Sequence, residues 1–128
     1  MNSPSSRLVI LLWAASPQVP WLCGTPFSVA AAAAAMDAEV LIYFSAQSVR
    51  LCAPGVAERL FPGAGEQRSV AQFMQHARDH GARFLACNAS LEACGLTLTD
   101  CDPWFDGIAG ASSVAAHALE LESRVLVF

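Results

Sequence analysis

The chain has 128 residues, 55% of them apolar and only 14% charged, with a formal net charge of −4. That length fits one domain with a real core, and so much apolar surface argues against disorder. All seven basic residues are arginines scattered along the chain, which argues against nucleic-acid binding through phosphate neutralisation.

Residues 1–6 read as a disordered polar leader and residues 7–128 as a single domain without internal repeats. Leu8 to Ala14 is a continuous apolar run with β-branched members, the pattern of a buried parallel strand. Arg7 followed by Leu8 to Ala15 also resembles a weak signal peptide. The run is short, one positive charge precedes it, and Pro17 and Pro20 interrupt the next apolar stretch, so the strand reading is preferred. No stretch approaches the roughly 18 apolar residues of a membrane helix.

Thr25 is placed to cap a helix that Pro26 begins, and six alanines, Ala30 to Ala35, carry it to Met36. Glu39 to Phe44 reads as a second strand. The span Ser45 to Gly65 is irregular, with a short helix expected near Val56–Leu60. Val70, Phe73, Met74 and Ala77 lie on one face of a helix over Glu66–His80, which Gly81 stops.

Ala82 to Ala86 reads as a third strand ending at Cys87, and Asn88 is placed to cap a short helix that closes at Gly95. A fourth strand is expected near Phe105–Ala109. Ser112 or Ser113 then caps a helix to about Glu122, and Arg124–Phe128 is a fifth strand. This alternation predicts an α/β domain whose five-stranded sheet is mostly parallel, with helices on both faces.

Five cysteines, an odd number with no CxxC pair, argue against a disulfide framework and a zinc ribbon. They fit reduced thiols in a cytoplasmic protein. Reactive groups of open parallel sheets gather at the carboxyl ends of strands, which ranks Cys87 first. It ends the third strand just before a helix, where a helix dipole favours the nucleophilic thiolate; its plainer reading is a small buried hydrophobe. Cys23 and Cys52, in loops after the first two strands, are candidate second thiols or ordinary loop residues. Cys94 reads as core, and Cys101, between Asp100 and Asp102, as incidental.

His76 and His80 have helical i, i+4 spacing but no evident third ligand, so no metal site is expected; His80 fits a helix C-terminus instead. His117 reads as a helix-surface or interface residue. The turn Gly107–Ser113 enters a helix and could present amides to an anion, although it matches neither a P-loop nor GxGxxG.

Two blocks carry a family resemblance. Thr25 to Gly55 (TPFSVAAAAAAMDAEVLIYFSAQSVRLCAPG) and Phe84 to Gly95 (FLACNASLEACG) resemble the DsrE/DsrF-like proteins, the DsrE2-like branch in particular. In the second block Ala86, Cys87, Ser90 and Gly95 occupy the places of that branch's Ala-Cys-x-x-Ser motif and following glycine. Two departures stand out: Cys52 takes a place where an aliphatic residue is expected, and the apolar segment of membrane-associated members is not found.

The resemblance implies a three-layer, flavodoxin-like domain that assembles into homo-oligomers, trimers or hexamers. It also implies a sulfur relay in which Cys87 accepts sulfane sulfur as a persulfide and passes it to a partner thiol. Asn88 and Ser90 would support that cysteine. No cofactor is implied; the partners are sulfur donor and acceptor proteins, with no nucleic acid and no membrane. The chain would then be a candidate sulfurtransferase subunit. Two alternatives stay open: an oligomeric binding or scaffold subunit with a spectator cysteine, and a small thiol-redox protein pairing Cys87 with Cys23 or Cys52.

Overall fold

The computed structural model describes residues 6–101 and 103–128; the expected leader, Ser6 apart, and Asp102 lie outside the described residues. The Ser6 carbonyl accepts from the Glu39 N–H at 2.9 Å.

Five strands form one sheet: β1 (Arg7–Leu12), β2 (Glu39–Phe44), β3 (Arg83–Ala86), β4 (Gly107–Ile108) and β5 (Ser123–Val127). Their order is β4-β3-β2-β1-β5 and every pairing is parallel. Four helices connect them: α1 (Thr25–Ala35), α2 (Val70–Asp79), α3 (Asn88–Ala93) and α4 (Ala111–Ala118). From β1 to β4 the chain steps one way, and α1, α2 and α3 pack on one face, the first. The return from β4 to β5 reverses direction, and α4 packs on the second face through Val114. Right-handed crossovers require this change of face.

The strands obey that geometry. Ile10, Leu12, Val40, Ile42, Phe44, Phe84 and Ala86 project into the first-face core, whereas Val9, Leu41 and Tyr43 project under α4. Val40 to Phe44 are all buried, as a strand covered on both sides requires. Around Phe44 stand the rings of Phe27, Phe84 and Phe105, with centroids 6.0, 5.3 and 4.8 Å away. Burying each large apolar side chain contributes about 2 kcal/mol. The small alanines Ala30 and Ala31 let α1 lie close to this layer.

Several element ends differ from the sequence reading. β1 stops at Leu12, because the Trp13 and Ala14 N–H groups both turn to the Phe128 carbonyl, at 2.7 and 3.0 Å. α2 starts at Val70 rather than Glu66. Ser69 accepts from the Gln72 N–H while the Gln72 side chain accepts from the Ser69 N–H, a reciprocal cap that fixes the start there. None of the expected caps forms: Gly24 precedes α1, Cys87 precedes α3 and Gly110 precedes α4, each without a side-chain cap. Thr25 and Asn88 are therefore the first residues of their helices. The irregular span after β2 holds 3₁₀ turns at Ala46–Cys52 and Ala57–Arg59. Among the described residues no helix is long and apolar enough to cross a membrane.

Candidate functional site

The crevice between β3 and β4 is where the chain changes face, the place where parallel sheets hold their ligands. Cys87 is fixed there at both ends of its peptide unit. Its N–H donates to the Phe44 carbonyl at 2.9 Å, continuing the sheet, and its carbonyl accepts from the Leu91 N–H at 2.9 Å, opening α3. Alternation along β3 gives Cys87 the parity of Leu85, so its side chain lies on the second face. It is half-buried.

A cavity of about 290 Å³ opens beside it, lined by Leu11, Tyr43, Ser45, Cys87, the Ala109–Ala111 turn, Val114 and Ala115. Gly110 is the close neighbour: a Cβ added there would stand 3.4 Å from Cys87 Sγ. The lack of a side-chain cap on α4 leaves the positive end of its dipole at this rim.

The frame around the cavity is hydrogen-bonded. Tyr43 Oη and Ser113 Oγ lie 2.6 Å apart and tie β2 to the first turn of α4. Ser45 Oγ donates to the Leu12 carbonyl at 2.6 Å. Ser90 Oγ accepts from the Ala46 N–H at 2.8 Å, holding the loop after β2 where Ala46 adopts a left-handed φ of 51°. Below the site, Asp106 Oδ2 accepts from the Phe84 N–H at 2.8 Å and from Arg78 Nη1 at 3.1 Å. Arg78 also donates to the Trp104 carbonyl, so it pins the segment leading into β4.

The structure separates the cysteines. Cys87 lines the cavity, whereas Cys23 and Cys52 are fully buried in the first-face core. Cys23 Sγ donates to the Ser16 carbonyl at 3.4 Å, and burial pushes its pKa up to about 11. Cys94 caps the end of α3 half-buried against the core, and Cys101 Sγ faces the Thr97 carbonyl at 3.6 Å. Asn88 is exposed, while Ser90 reaches the β2 loop rather than the thiol. His76 and His80 stack edge-on at 4.5 Å, and among the described residues no three His, Cys, Asp or Glu side chains cluster to hold a metal. His117 lies half-buried beside Tyr43 and is bonded to Glu120 at 3.0 Å.

Tyr43, Leu11 and Val114 are site residues that the sequence reading did not single out. Strand alternation was the available signal for the first two: both share the parity that faces α4.

With this geometry in place, comparison with known proteins decides the family. The DsrE/DsrF-like family pattern matches residues 13–128. The chain belongs to the DsrE/DsrF-like family. Two solved structures share the fold of this DsrE-like chain. The YchN protein of E. coli is 15% identical with a TM-score of 0.70, over 98% of this chain and 100% of its own. MTH1491 of Methanobacterium thermoautotrophicum, described as a protein of unknown function, is 12% identical with a TM-score of 0.68, over 97% and 100%. No curated protein gives a significant sequence match to the DsrE-like chain.

Proposed function

We propose that this DsrE-like protein is a sulfur carrier in which Cys87 accepts sulfane sulfur as a persulfide and passes it to a partner thiol. The observation that supports this most is the position of Cys87 Sγ: in the cavity at the β3–β4 crevice, beside Gly110 and the uncapped start of α4. Family membership supports it as well, since sulfur relay is common in this family. The Cys87 thiolate attacks the outer sulfur of a donor persulfide. A new S–S bond forms as the donor's breaks, and the donor leaves as a thiolate with the electron pair. An acceptor thiolate repeats the exchange on the Cys87 persulfide, so no cofactor, oxidant or reductant is consumed. Reduced thiols of this kind fit a cytoplasmic setting.

The two-thiol redox reading has less support, because Cys23 and Cys52 sit in the core of the opposite face. Assembly into a homo-oligomer is favoured by apolar side chains exposed near β5, with Trp13 65% and Val127 61% exposed. Light scattering of the purified protein tests it, and a monomer would overturn it.

The decisive experiment for the carrier reading incubates the reduced protein with polysulfide and maps added sulfur by peptide mass spectrometry, with Cys87→Ala alongside. One added sulfur at Cys87, absent from the variant, is expected. Equal labelling of all the cysteines, or none at Cys87, would overturn the carrier reading in favour of an oligomeric binding subunit.

A further inference from the structure

We infer that the cavity beside Cys87 selects a small, neutral, apolar group, about one aromatic ring in size, and that the sulfur compound served there carries such a group; this rests on the carrier reading above. Three observations converge on it. The first is the lining: apart from the thiol, the side chains offered to a ligand are those of Leu11, Val114, the Tyr43 ring and alanines.

The second is that the polar side chains present are already engaged. Tyr43 Oη is paired with Ser113 Oγ at 2.6 Å, and Ser45 Oγ with the Leu12 carbonyl at 2.6 Å. No charged side chain lines the cavity. Arg7, at the far end of β1, is held by Glu39 and Glu120 at 2.7 and 2.6 Å. A carboxylate or ammonium brought in by cysteine persulfide or glutathione persulfide would lose its water and meet no charged side chain to pair with.

The third is volume. About 290 Å³ exceeds what one ring needs, since an apolar cavity of about half that size stays dry and takes up benzene. The matching substrate is a neutral organic persulfide, R–S–SH, with R in the cavity. The Cys87 thiolate attacks the outer sulfur, the original S–S bond breaks, R–S⁻ leaves with the electron pair, and the proton stays on the transferred sulfur. Nothing is oxidised or reduced overall.

Paired thiosulfonates test this on the whole protein. Benzyl methanethiosulfonate and its sulfonatoethyl analogue transfer a neutral aromatic or an anionic group to Cys87, and each rate is divided by that of N-acetylcysteine. A preference for benzyl of about tenfold or more is expected. Binding is read separately on Cys87→Ser, where toluene should give saturable NMR shifts of the Leu11 and Val114 methyl groups. Ala115→Phe, which sets a ring among the lining residues, should abolish both effects. A rate ratio equal to that of the free thiol, with no saturable shifts, would overturn the ligand class even if polysulfide still labels Cys87. Toluene binding without any sulfane-sulfur uptake at Cys87 would uphold the ligand class and overturn the carrier reading alone.

Discussion

Tyr43 Oη and Ser113 Oγ lie 2.6 Å apart, and this one hydrogen bond joins the middle of the sheet to the first turn of α4. Tyr43 is itself buried, so its hydroxyl is tolerated there only because a partner waits on the helix. Tyr43→Phe leaves Ser113 without that partner. We expect a loss of about 1 kcal/mol in stability, read as a lower denaturant midpoint with an unchanged slope. Cys87 should then become more readily alkylated, because the wall beside it is held less firmly.

Gly110 sets the clearance at the thiol. Its φ of −134° is not left-handed, and an added Cβ would meet Cys87 Sγ at 3.4 Å, an ordinary contact. Gly110→Ala should therefore fold and leave Cys87 open to modification. Gly110→Leu should fold as well, yet lower the rate of Cys87 modification about tenfold or more by occupying the approach. Equal rates for the two variants would show that this side is not the path of entry.

Ser90 acts on the loop after β2 rather than on the thiol. Ser90→Ala removes the acceptor of the part-buried Ala46 N–H and should cost about 1–3 kcal/mol, measured by thermal unfolding. Ala46→Gly should do the opposite, raising stability by about 1 kcal/mol, because a left-handed φ of 51° strains a residue with a Cβ.

Glu120 gathers bonds from His117, Ser123 and Arg7, which together hold its carboxyl at a pKa of about 2. A depressed carboxyl pKa stabilises the fold above the ordinary carboxylate range and ceases to do so as pH falls towards 2. Glu120→Gln should flatten the acid limb of the stability profile between about pH 5 and 2 while leaving the neutral region less affected. A parallel displacement of the whole curve would contradict it.

Cys23 titrates with the opposite sign. Burial pushes its thiol up to about 11, so the folded protein keeps a proton that the unfolded chain begins to lose from its ordinary 9.0. Stability should fall as pH rises through that interval, and Cys23→Ala should lack this alkaline decline. Iodoacetamide at neutral pH should label Cys87 well before Cys23, checked by peptide mapping of the native protein.

Local signals carried far in this sequence. The five-residue apolar run Val40 to Phe44 and the alanine series place β2 and α1 where they are, because strand burial and helix propensity act over a few residues. The end of β3 marks Cys87 for the same reason. Helix starts were less legible. Thr25, Asn88 and Ser112 have capping chemistry but lie one or two places inside their helices, while the Ser69–Gln72 pair, three apart, governs α2. The cavity could not be read locally, since it exists only because α4 crosses to the second face and brings Gly110 against a residue 23 positions earlier. Nor could the loops after β1 and β2 reveal that Cys23 and Cys52 turn into the core, for sequence alone places all three thiols near strand ends.

The unequal covering of the sheet divides labour between its sides. The first face carries the aromatic cluster and two long helices, whereas the second relies on eight-residue α4, which has no buried residue of its own. Local opening should therefore begin at α4, and native-state hydrogen exchange should release its amides ahead of those in α1 and α2. Such breathing would bare the thiol without melting the scaffold beneath it. A hinge-like movement of this one helix would open the cavity at far lower cost than unfolding, while β2 and β3 hold the backbone at Cys87 in register.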